Sequence, residues 1–262
     1  MRVVWLLLGL VIPVALVAGC GDDPEPGAPQ TAPQAPEAEP NEQRSAPVDA
    51  ERPNREPPQL WLPDRGNPLV QVRKGERVEL YDAPDGKVIE TIGDETEFKS
   101  PTAFAVQRER DGWAAVPTPY FENGKLAWLR LDPRRLKAYT VFYEVEVDLS
   151  DYRVTLLRRD KVINSFTATI GMPEAPTPTG RFAVTDTFRG GLNPAYGCCA
   201  VALTARQTRL PSGWLGGDRI AIHGTTGPLG ASISHGCVRA ANPDVSDLVD
   251  RLPPGTPVTI RQ

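Results

Sequence analysis

Residues 220–239 have the sequence IAIHGTTGPLGASISHGCVR. This segment holds both histidines of the chain, His223 and His235, and one of its four cysteines, Cys237. The apolar run before His223 predicts a buried strand that ends at the imidazole. The residues from Ser234 to Arg239 predict a polar, glycine-containing turn in front of a helix. Because catalytic side chains are commonly presented at strand ends and in tight turns, the segment predicts a site for thiol chemistry.

A cysteine attacks an acyl group as the thiolate, so it needs a base, and the attack creates an oxyanion that needs fixed N–H donors. His223 is the predicted base for Cys237, since an imidazole can take the thiol proton and later return a proton to the leaving group. Gly236 allows a tight turn and the approach of a substrate carbonyl to its own amide and to that of Cys237. Base, nucleophile and oxyanion donors therefore all come from one segment.

The run His223-Gly224-Thr225-Thr226, followed by Ser234-His235-Gly236-Cys237-Val238-Arg239, resembles the signature of the L,D-transpeptidases of bacterial cell walls, the YkuD type. Upstream, Pro178-Thr179-Gly180-Arg181-Phe182 resembles the Pro-Thr-Gly element of that family. The resemblance covers about residues 140–262. The loop between the two halves of the signature is short for the family, which leaves the acceptor side of the cleft open.

The resemblance implies a role for each residue of the signature. The carbonyl of Gly224 orients the imidazole of His223, the acid/base. His235 and Gly236 shape the oxyanion hole and the substrate cleft, and Ser234 supports the turn. No metal and no organic cofactor is implied.

The implied reaction has two steps. Cys237 attacks the bond between the L-centre and D-Ala of a peptidoglycan stem tetrapeptide, and D-Ala leaves. A side-chain amine of a second stem then takes the acyl group, while Arg239 contacts a substrate carboxylate. The third stem residue, diaminopimelate or lysine or another amine, stays open.

Several alternatives compete with cross-linking. Water in place of the amine gives an L,D-carboxypeptidase, and a protein in its place gives protein attachment to peptidoglycan. A non-catalytic, wall-binding lipoprotein requires a dead site. A zinc site would use His223, His235 and Cys237 with one of two neighbouring cysteines, but it lacks the Cys-x-x-Cys spacing of structural zinc sites.

Those neighbouring cysteines are Cys198 and Cys199. Adjacent cysteines rarely bond to each other because the geometry is strained. Two hypotheses for this pair are compatible with the sequence. Both cysteines are small buried residues at the start of a strand, or one of them lies near Cys237 and locks it in a disulfide under oxidation.

The fold class expected for residues 138–262 is a β-sandwich catalytic domain with one short C-terminal helix. Alternating apolar and polar residues from Val141 to Leu149 predict a half-buried strand. The helix follows the nucleophile by five residues, with Asn242 as its N-cap and Pro243 in its first turn. Pro253-Pro254-Gly255 predicts its end.

Residues 59–137 predict a separate small barrel of five or six strands that resembles bacterial SH3-like modules. Asp85-Gly86 and Asn123-Gly124 are strong hairpin signals within it. Binding of the cell wall and a role as spacer are equally open for this module.

Residues 1–19 predict a secretory signal, and Val17-Ala18-Gly19-Cys20 resembles the lipobox of bacterial lipoproteins, in which Cys20 is lipidated. Residues 20–58 are rich in proline and polar residues and predict a disordered tether. We therefore expect a monomer outside the cytoplasm, anchored to a membrane and facing the cell wall or periplasm. A net charge of −4 argues against general nucleic-acid binding.

Overall fold

The structure is a computed structural model that describes residues 60–210, 212 and 217–262. The predicted class is confirmed: the described residues are mainly β, with one α-helix, α1 (Asn242–Arg251), and a short 3-10 turn at Pro194–Tyr196. No helix in this part of the chain has the length and apolar character needed to cross a membrane. The predicted signal peptide (1–19), the lipidation site Cys20 and the tether (20–58) lie outside the described residues.

The N-terminal module contains eight strands in two sheets. They are β1 (Asn67–Val72), β2 (Arg77–Tyr81), β3 (Val88–Gly93), β4 (Ala103–Ala105), β5 (Arg108–Arg110), β6 (Trp113–Pro117), β7 (Leu126–Arg130) and β8 (Leu136–Val141). The sheet orders are β4-β1-β8 and β3-β2-β7-β6-β5. Both predicted hairpins are confirmed, with Asp85-Gly86 between β2 and β3 and Asn123-Gly124 between β6 and β7. The short, fully exposed β5 has no apolar alternation, so no sequence signal predicts it.

The C-terminal module contains nine strands that form one sheet around a second core. They are β9 (Tyr143–Asp148), β10 (Arg153–Arg158), β11 (Lys161–Gly171), β12 (Gly180–Phe188), β13 (Ala200–Arg206), β14 (Arg219–Thr225), β15 (Ser232–Ser234), β16 (Val238–Ala241) and β17 (Pro257–Arg261). Their order is β10-β9-β17-β12-β13-β14-β16-β11-β15, with a further pairing of β10 and β11. The sheet therefore curls back on itself at that pairing.

The single strand predicted from Val141 to Leu149 is instead divided between two strands, because strand structure is interrupted at Phe142. The first part, β8, pairs along its length with β1, from Leu136 opposite Val72 to Val141 opposite Asn67. The strand thus crosses the expected boundary between residues 137 and 138. The two modules belong to one compact unit.

Helix α1 packs against β13, β14 and β16 through the buried side chains of Val245, Leu248 and Val249. The prediction of Asn242 as its N-cap is wrong. The cap position is Ala241, which has no side-chain capping bond, and Asn242 is the first residue of the helix. The Asn242 side chain instead accepts a hydrogen bond from the amide of Cys198 at 3.1 Å, so a contact distant in sequence takes the place of a local cap.

Candidate active site

Two parallel strands bring the predicted site residues together. The register of β14 and β16 sets Ile222 opposite Val238 and His223 opposite Arg239. Cys237 directly precedes β16, two residues from Arg239, and side chains at i and i+2 project to the same face of an extended chain. The sequence predicted one turn from Ser234 to Arg239, but the turn proper is only His235 to Cys237. Val238 already belongs to a strand, because its pairing with β14 overrides the local polar pattern.

His223, His235, Cys237 and Arg239 line one cleft with a volume of about 440 Å³. The other predicted residues, Gly224, Ser234 and Gly236, are buried and do not line it. The described residues thus divide the predicted site into side chains that face the cleft and backbone supports behind it.

His223 is held from two sides. Its side chain is only 4% exposed, and its Nδ1 lies 3.0 Å from the carbonyl oxygen of Gly224. The predicted contact between this carbonyl and the imidazole is confirmed. A carbonyl can only accept, so Nδ1 carries the proton in the neutral ring and Nε2 is the basic nitrogen. The ring of Tyr196 packs edge-on against the imidazole, with 4.9 Å between the ring centroids.

Both titratable groups of the candidate pair favour their neutral forms. Burial lowers the pKa of His223, and the positive charge of Arg239 lowers it further, against hydrogen bonds to the backbone of Gly224 and Tyr196 that raise it. Burial raises the pKa of the Cys237 thiol, against a backbone hydrogen bond from Ala221 and the charge of Arg239. At neutral pH the cleft is therefore lined by a thiol and a neutral imidazole, which suits a general base that acts during attack.

Ser234 closes the turn that carries the nucleophile. Its hydroxyl donates to the carbonyl of Cys237 at 2.6 Å and accepts from the amide of Gly236 at 3.1 Å. The supporting role predicted for Ser234 therefore has a geometric basis. The predicted use of the Gly236 amide as an oxyanion donor does not fit this geometry, because that N–H is already bonded inside the turn.

Two further side chains hold the same turn by hydrogen bonds to its carbonyl groups. Thr177 donates to the carbonyl of Gly236 at 2.8 Å, and Gln207 donates to the carbonyl of His235 at 3.0 Å. Both side chains are buried, at 4% and 6% exposure. Gly236 has φ +109°, and a Cβ there would lie 2.2 Å from the Gln207 amide nitrogen. A larger residue at 236 would therefore be strained and would also displace Gln207.

Arg239 presents an unused donor. Its Nε is fully buried and has no hydrogen-bond partner among the described residues. A buried guanidinium N–H without an acceptor costs free energy, and charged donors of this kind form strong hydrogen bonds to carboxylates. Because Arg239 also lines the cleft, a carboxylate of a ligand is a fitting acceptor.

Cys198 and Cys199 are bonded to each other, and Cys237 is free. The prediction that one of the pair lies near Cys237 and locks it is wrong for this structure. Cys199 accepts the amide of Gly224 at 3.0 Å, whereas continuation of the β14–β16 register places Cys237 beside Ala221. Those two positions are three residues apart on β14, about 10 Å along a strand, so the pair lies beyond His223 on the side away from Cys237.

The fold of the described residues does not bring together ligands for the alternative zinc site. Within residues 60–210, 212 and 217–262, no three His, Cys, Asp or Glu side chains are grouped in a way that could hold a metal ion. The cysteines that the alternative would recruit, Cys198 and Cys199, are used in their mutual disulfide.

Sequence reasoning missed Tyr196, Thr177 and Gln207. Tyr196 directly precedes the Gly-Cys-Cys run, and Thr177 directly precedes the Pro-Thr-Gly element, so position beside a recognised motif was the only signal for them. Gln207 follows the end of β13 in an ordinary polar stretch and has no sequence signal. It reaches the turn only because β13 and β14 are paired.

Residues 143–260 match the family described as YkuD, L,D-transpeptidase catalytic domain. A Bacillus subtilis (strain 168) protein named YkuD and assigned to the L,D-transpeptidases is 29% identical over 126 residues, covering 47% of this chain and 69% of that protein. The YkuD protein of Bacillus licheniformis is 28% identical over 123 residues, covering 46% of this chain and 67% of its own length.

Among solved structures, an L,D-transpeptidase from Mycobacterium smegmatis is 15% identical, with a TM-score of 0.39, covering 60% of this chain and 80% of that chain. An L,D-transpeptidase from Mycobacterium tuberculosis H37Rv is 17% identical, with a TM-score of 0.38, covering 53% and 73%. Transpeptidases move an acyl group between amines, so the family match makes this module an enzyme domain of the acyltransferase type. Residues 143–260 of this chain are a member of the YkuD family of L,D-transpeptidase catalytic domains.

Proposed function

We propose that the protein is a peptidoglycan L,D-transpeptidase that cross-links stem peptides through a thioester on Cys237. The observation that carries the proposal is the meeting of Cys237, His223 and Arg239 in one cleft of about 440 Å³. A nucleophile, a base and an unpaired cationic donor are the groups that acyl transfer from a peptide with a free carboxylate requires.

In the first half-reaction the thiol proton of Cys237 passes to Nε2 of His223 as sulfur attacks the carbonyl carbon of the L-centre. The bond between carbon and sulfur forms, and the amide bond to D-Ala breaks. The nitrogen of D-Ala takes the proton back from His223 and leaves as the free amino acid. The acyl group remains on Cys237 as a thioester.

In the second half-reaction a neutral side-chain amine of another stem attacks the thioester. His223 takes a proton from that nitrogen, the new amide forms, and the bond between carbon and sulfur breaks. The departing sulfur recovers its proton from His223, so the free enzyme is restored without a cofactor. The product is a cross-link between two third-position residues.

The amide of Cys237, together with groups around His235, stabilises the oxyanion of each tetrahedral intermediate. The amide of Gly236 is occupied by Ser234. Arg239, which lines the cleft, binds the carboxylate of the substrate. Outside the described residues, the lipobox at Cys20 supports anchoring at a membrane that faces the cell wall.

Incubation of the purified protein with tetrapeptide muropeptides, followed by mass spectrometry, tests this proposal. The expected result is dimers that have lost D-Ala, formed by the wild type and by neither Cys237→Ala nor His223→Ala. Equal dimer formation by Cys237→Ala would overturn it. Arg209→Ala is a matched control, because Arg209 is exposed and the bond that it forms to Gln207 Oε1 within the described residues comes from its backbone amide, which alanine keeps.

The same experiment separates the alternatives. Tripeptide monomers without dimers would favour an L,D-carboxypeptidase, and products that form only with an added protein amine would favour protein attachment. Retained binding to peptidoglycan with no release of D-Ala by the wild type would favour the non-catalytic, wall-binding reading.

A further inference from the structure

Gln207 lines the cleft and also bonds to the turn that carries the nucleophile. One amide nitrogen, Nε2, donates to the carbonyl of His235 at 3.0 Å and to the carbonyl of Pro176 at 3.0 Å. Its Oε1 accepts the amide of Arg209 at 2.9 Å. The side chain therefore ties the turn before Cys237 to the segment that carries Thr177.

Gln207 packs closely against the backbone of the turn. The missing Cβ of Gly236 would lie 2.2 Å from Nε2 of Gln207, so this glycine is needed where the amide packs against the backbone. A shift of Gln207 by a fraction of an ångström would therefore be passed directly to the residues on either side of Gly236. The bond from Gln207 to the carbonyl of His235 thus lies two residues before Cys237 in the chain.

Gln207 is itself fixed through the preceding residue, and the fixing group comes from the N-terminal module. The side chain of Asn123 donates to the carbonyl of Arg206 at 2.6 Å and accepts the amide of Arg206 at 2.9 Å. The Arg206 guanidinium donates to Asp218 at 2.7 Å and to the carbonyl of Pro119 at 3.0 Å. Asn123 thus pairs with both backbone groups of Arg206, as a neighbouring strand would.

We propose that Gln207 is a positioning residue for Cys237, and that Asn123 of the N-terminal module sets it in place through Arg206. The module then has a task besides any ligand of its own, because it completes the support of the catalytic turn. The physical basis is the covalent geometry of the chain. Consecutive Cα atoms are about 3.8 Å apart, so fixing the backbone of Arg206 leaves little freedom for residue 207. This inference rests on the proposed function, since it concerns the same site.

The test compares Gln207→Met, Asn123→Ala and Glu122→Ala in the full-length protein. Methionine keeps the length and bulk of glutamine but has no N–H to donate. Glu122→Ala is the matched control, because Glu122 is exposed, adjacent to Asn123 and, among the described residues, ion-paired with Lys125 alone. Two rates are measured: release of D-Ala from muropeptides, and alkylation of Cys237 by iodoacetamide.

Gln207→Met is expected to lower kcat for D-Ala release by about tenfold to 100-fold with KM little changed, because misplacement of reacting groups acts on the transition state. Asn123→Ala is expected to lower kcat about threefold to tenfold for the same reason. The double variant should be no slower than Gln207→Met alone, since both changes act on one chain of contacts. Glu122→Ala should match the wild type.

Alkylation distinguishes misplacement from general damage. Iodoacetamide needs a thiolate but neither an oxyanion donor nor a bound substrate, so its rate is expected to stay within about twofold of the wild type in all variants. An unchanged kcat in Gln207→Met overturns the inference. Asn123 is half-buried and belongs to neither hydrophobic core. An unchanged kcat in Asn123→Ala therefore overturns the part played by the module. A wild type that is alkylated but releases no D-Ala overturns the proposed function and this inference with it.

Discussion

The hydroxyl of Thr177 donates to the carbonyl oxygen of Gly236 at 2.8 Å and accepts the amide of Gly171 at 2.9 Å. Since a trans peptide sets its C=O and the following N–H on opposite sides, this bond directs the amide of Cys237 away from Thr177. The direction of that amide matters because it is the backbone donor left for an oxyanion once Ser234 has taken Gly236. A threonine in the segment before the Pro-Thr-Gly element thereby orients a group at the nucleophile.

Thr177→Val is expected to lower kcat for D-Ala release by about tenfold to 100-fold, in the range seen when an oxyanion donor is lost. Valine keeps the shape but leaves the Gly171 amide and the Gly236 carbonyl without a partner, so we also expect about 1–3 kcal/mol less free energy of unfolding. Thr177→Ser keeps the hydroxyl and should stay close to the wild type in both measurements. Equal kcat for the valine and serine variants would contradict the orienting role.

The pH profile of D-Ala release should have an acidic limb below 6.5, the ordinary pKa of histidine. Burial lowers the pKa of His223, so the imidazole stays neutral and able to accept a proton at a lower pH than an exposed histidine. The Cys237 thiol has a raised pKa and stays protonated throughout that range. Measurement of kcat/KM against pH checks this, and a limb centred above 6.5 would contradict it.

Arg239→Gln should move that acidic limb upwards. The positive charge of Arg239 lowers the pKa of His223, so its removal lets the pKa rise. The same charge lowers the pKa of Cys237, so iodoacetamide alkylation should also shift to higher pH in this variant. Opposite shifts of the two profiles would show that Arg239 acts on the pair in another way.

Arg239→Gln should also lower kcat/KM about tenfold to 100-fold for a substrate with a free carboxylate, the usual effect of losing a hydrogen bond to a charged group. The matched comparison is the same muropeptide with that carboxylate amidated. Wild type and variant should differ little on the amide, because the neutral group cannot use the guanidinium fully. An equal loss on both substrates would place the carboxylate elsewhere.

Cys198 and Cys199 should resist alkylation until a reductant is added, whereas Cys237 should be alkylated without one. Peptide mapping by mass spectrometry after iodoacetamide labelling distinguishes the three positions. Because a disulfide between neighbours closes the shortest possible loop, replacing both cysteines by serine should reduce the free energy of unfolding by less than about 2 kcal/mol. A disulfide between Cys237 and either neighbour in the untreated protein would contradict this assignment.

Much of the strand pattern could be predicted because it is local. The turn dipeptides Asp85-Gly86 and Asn123-Gly124 specify hairpins through their own backbone preferences, and alternation of apolar side chains marks the strands between them. The predictions failed where contacts with residues distant in sequence determine the local structure. Asn242 has the chemistry of an N-cap, yet its side chain bonds to the amide of Cys198, 44 residues away in sequence. Val238 follows a polar turn, yet it joins a strand because β14 lies beside it.

The amino-acid sequence alone identifies the reactive groups: two histidines and a cysteine within fifteen residues, in an order that resembles one family of acyl-transfer enzymes. Such a motif is legible because its members are close along the chain. The groups that support this motif, and the backbone oxygens and nitrogens that are already hydrogen-bonded, become apparent only in the folded chain. Thr177, Gln207 and Asn123 reach Cys237 across strand pairings and a contact between modules, and hydrogen bonds between residues 28 to 83 positions apart leave no local pattern in the sequence.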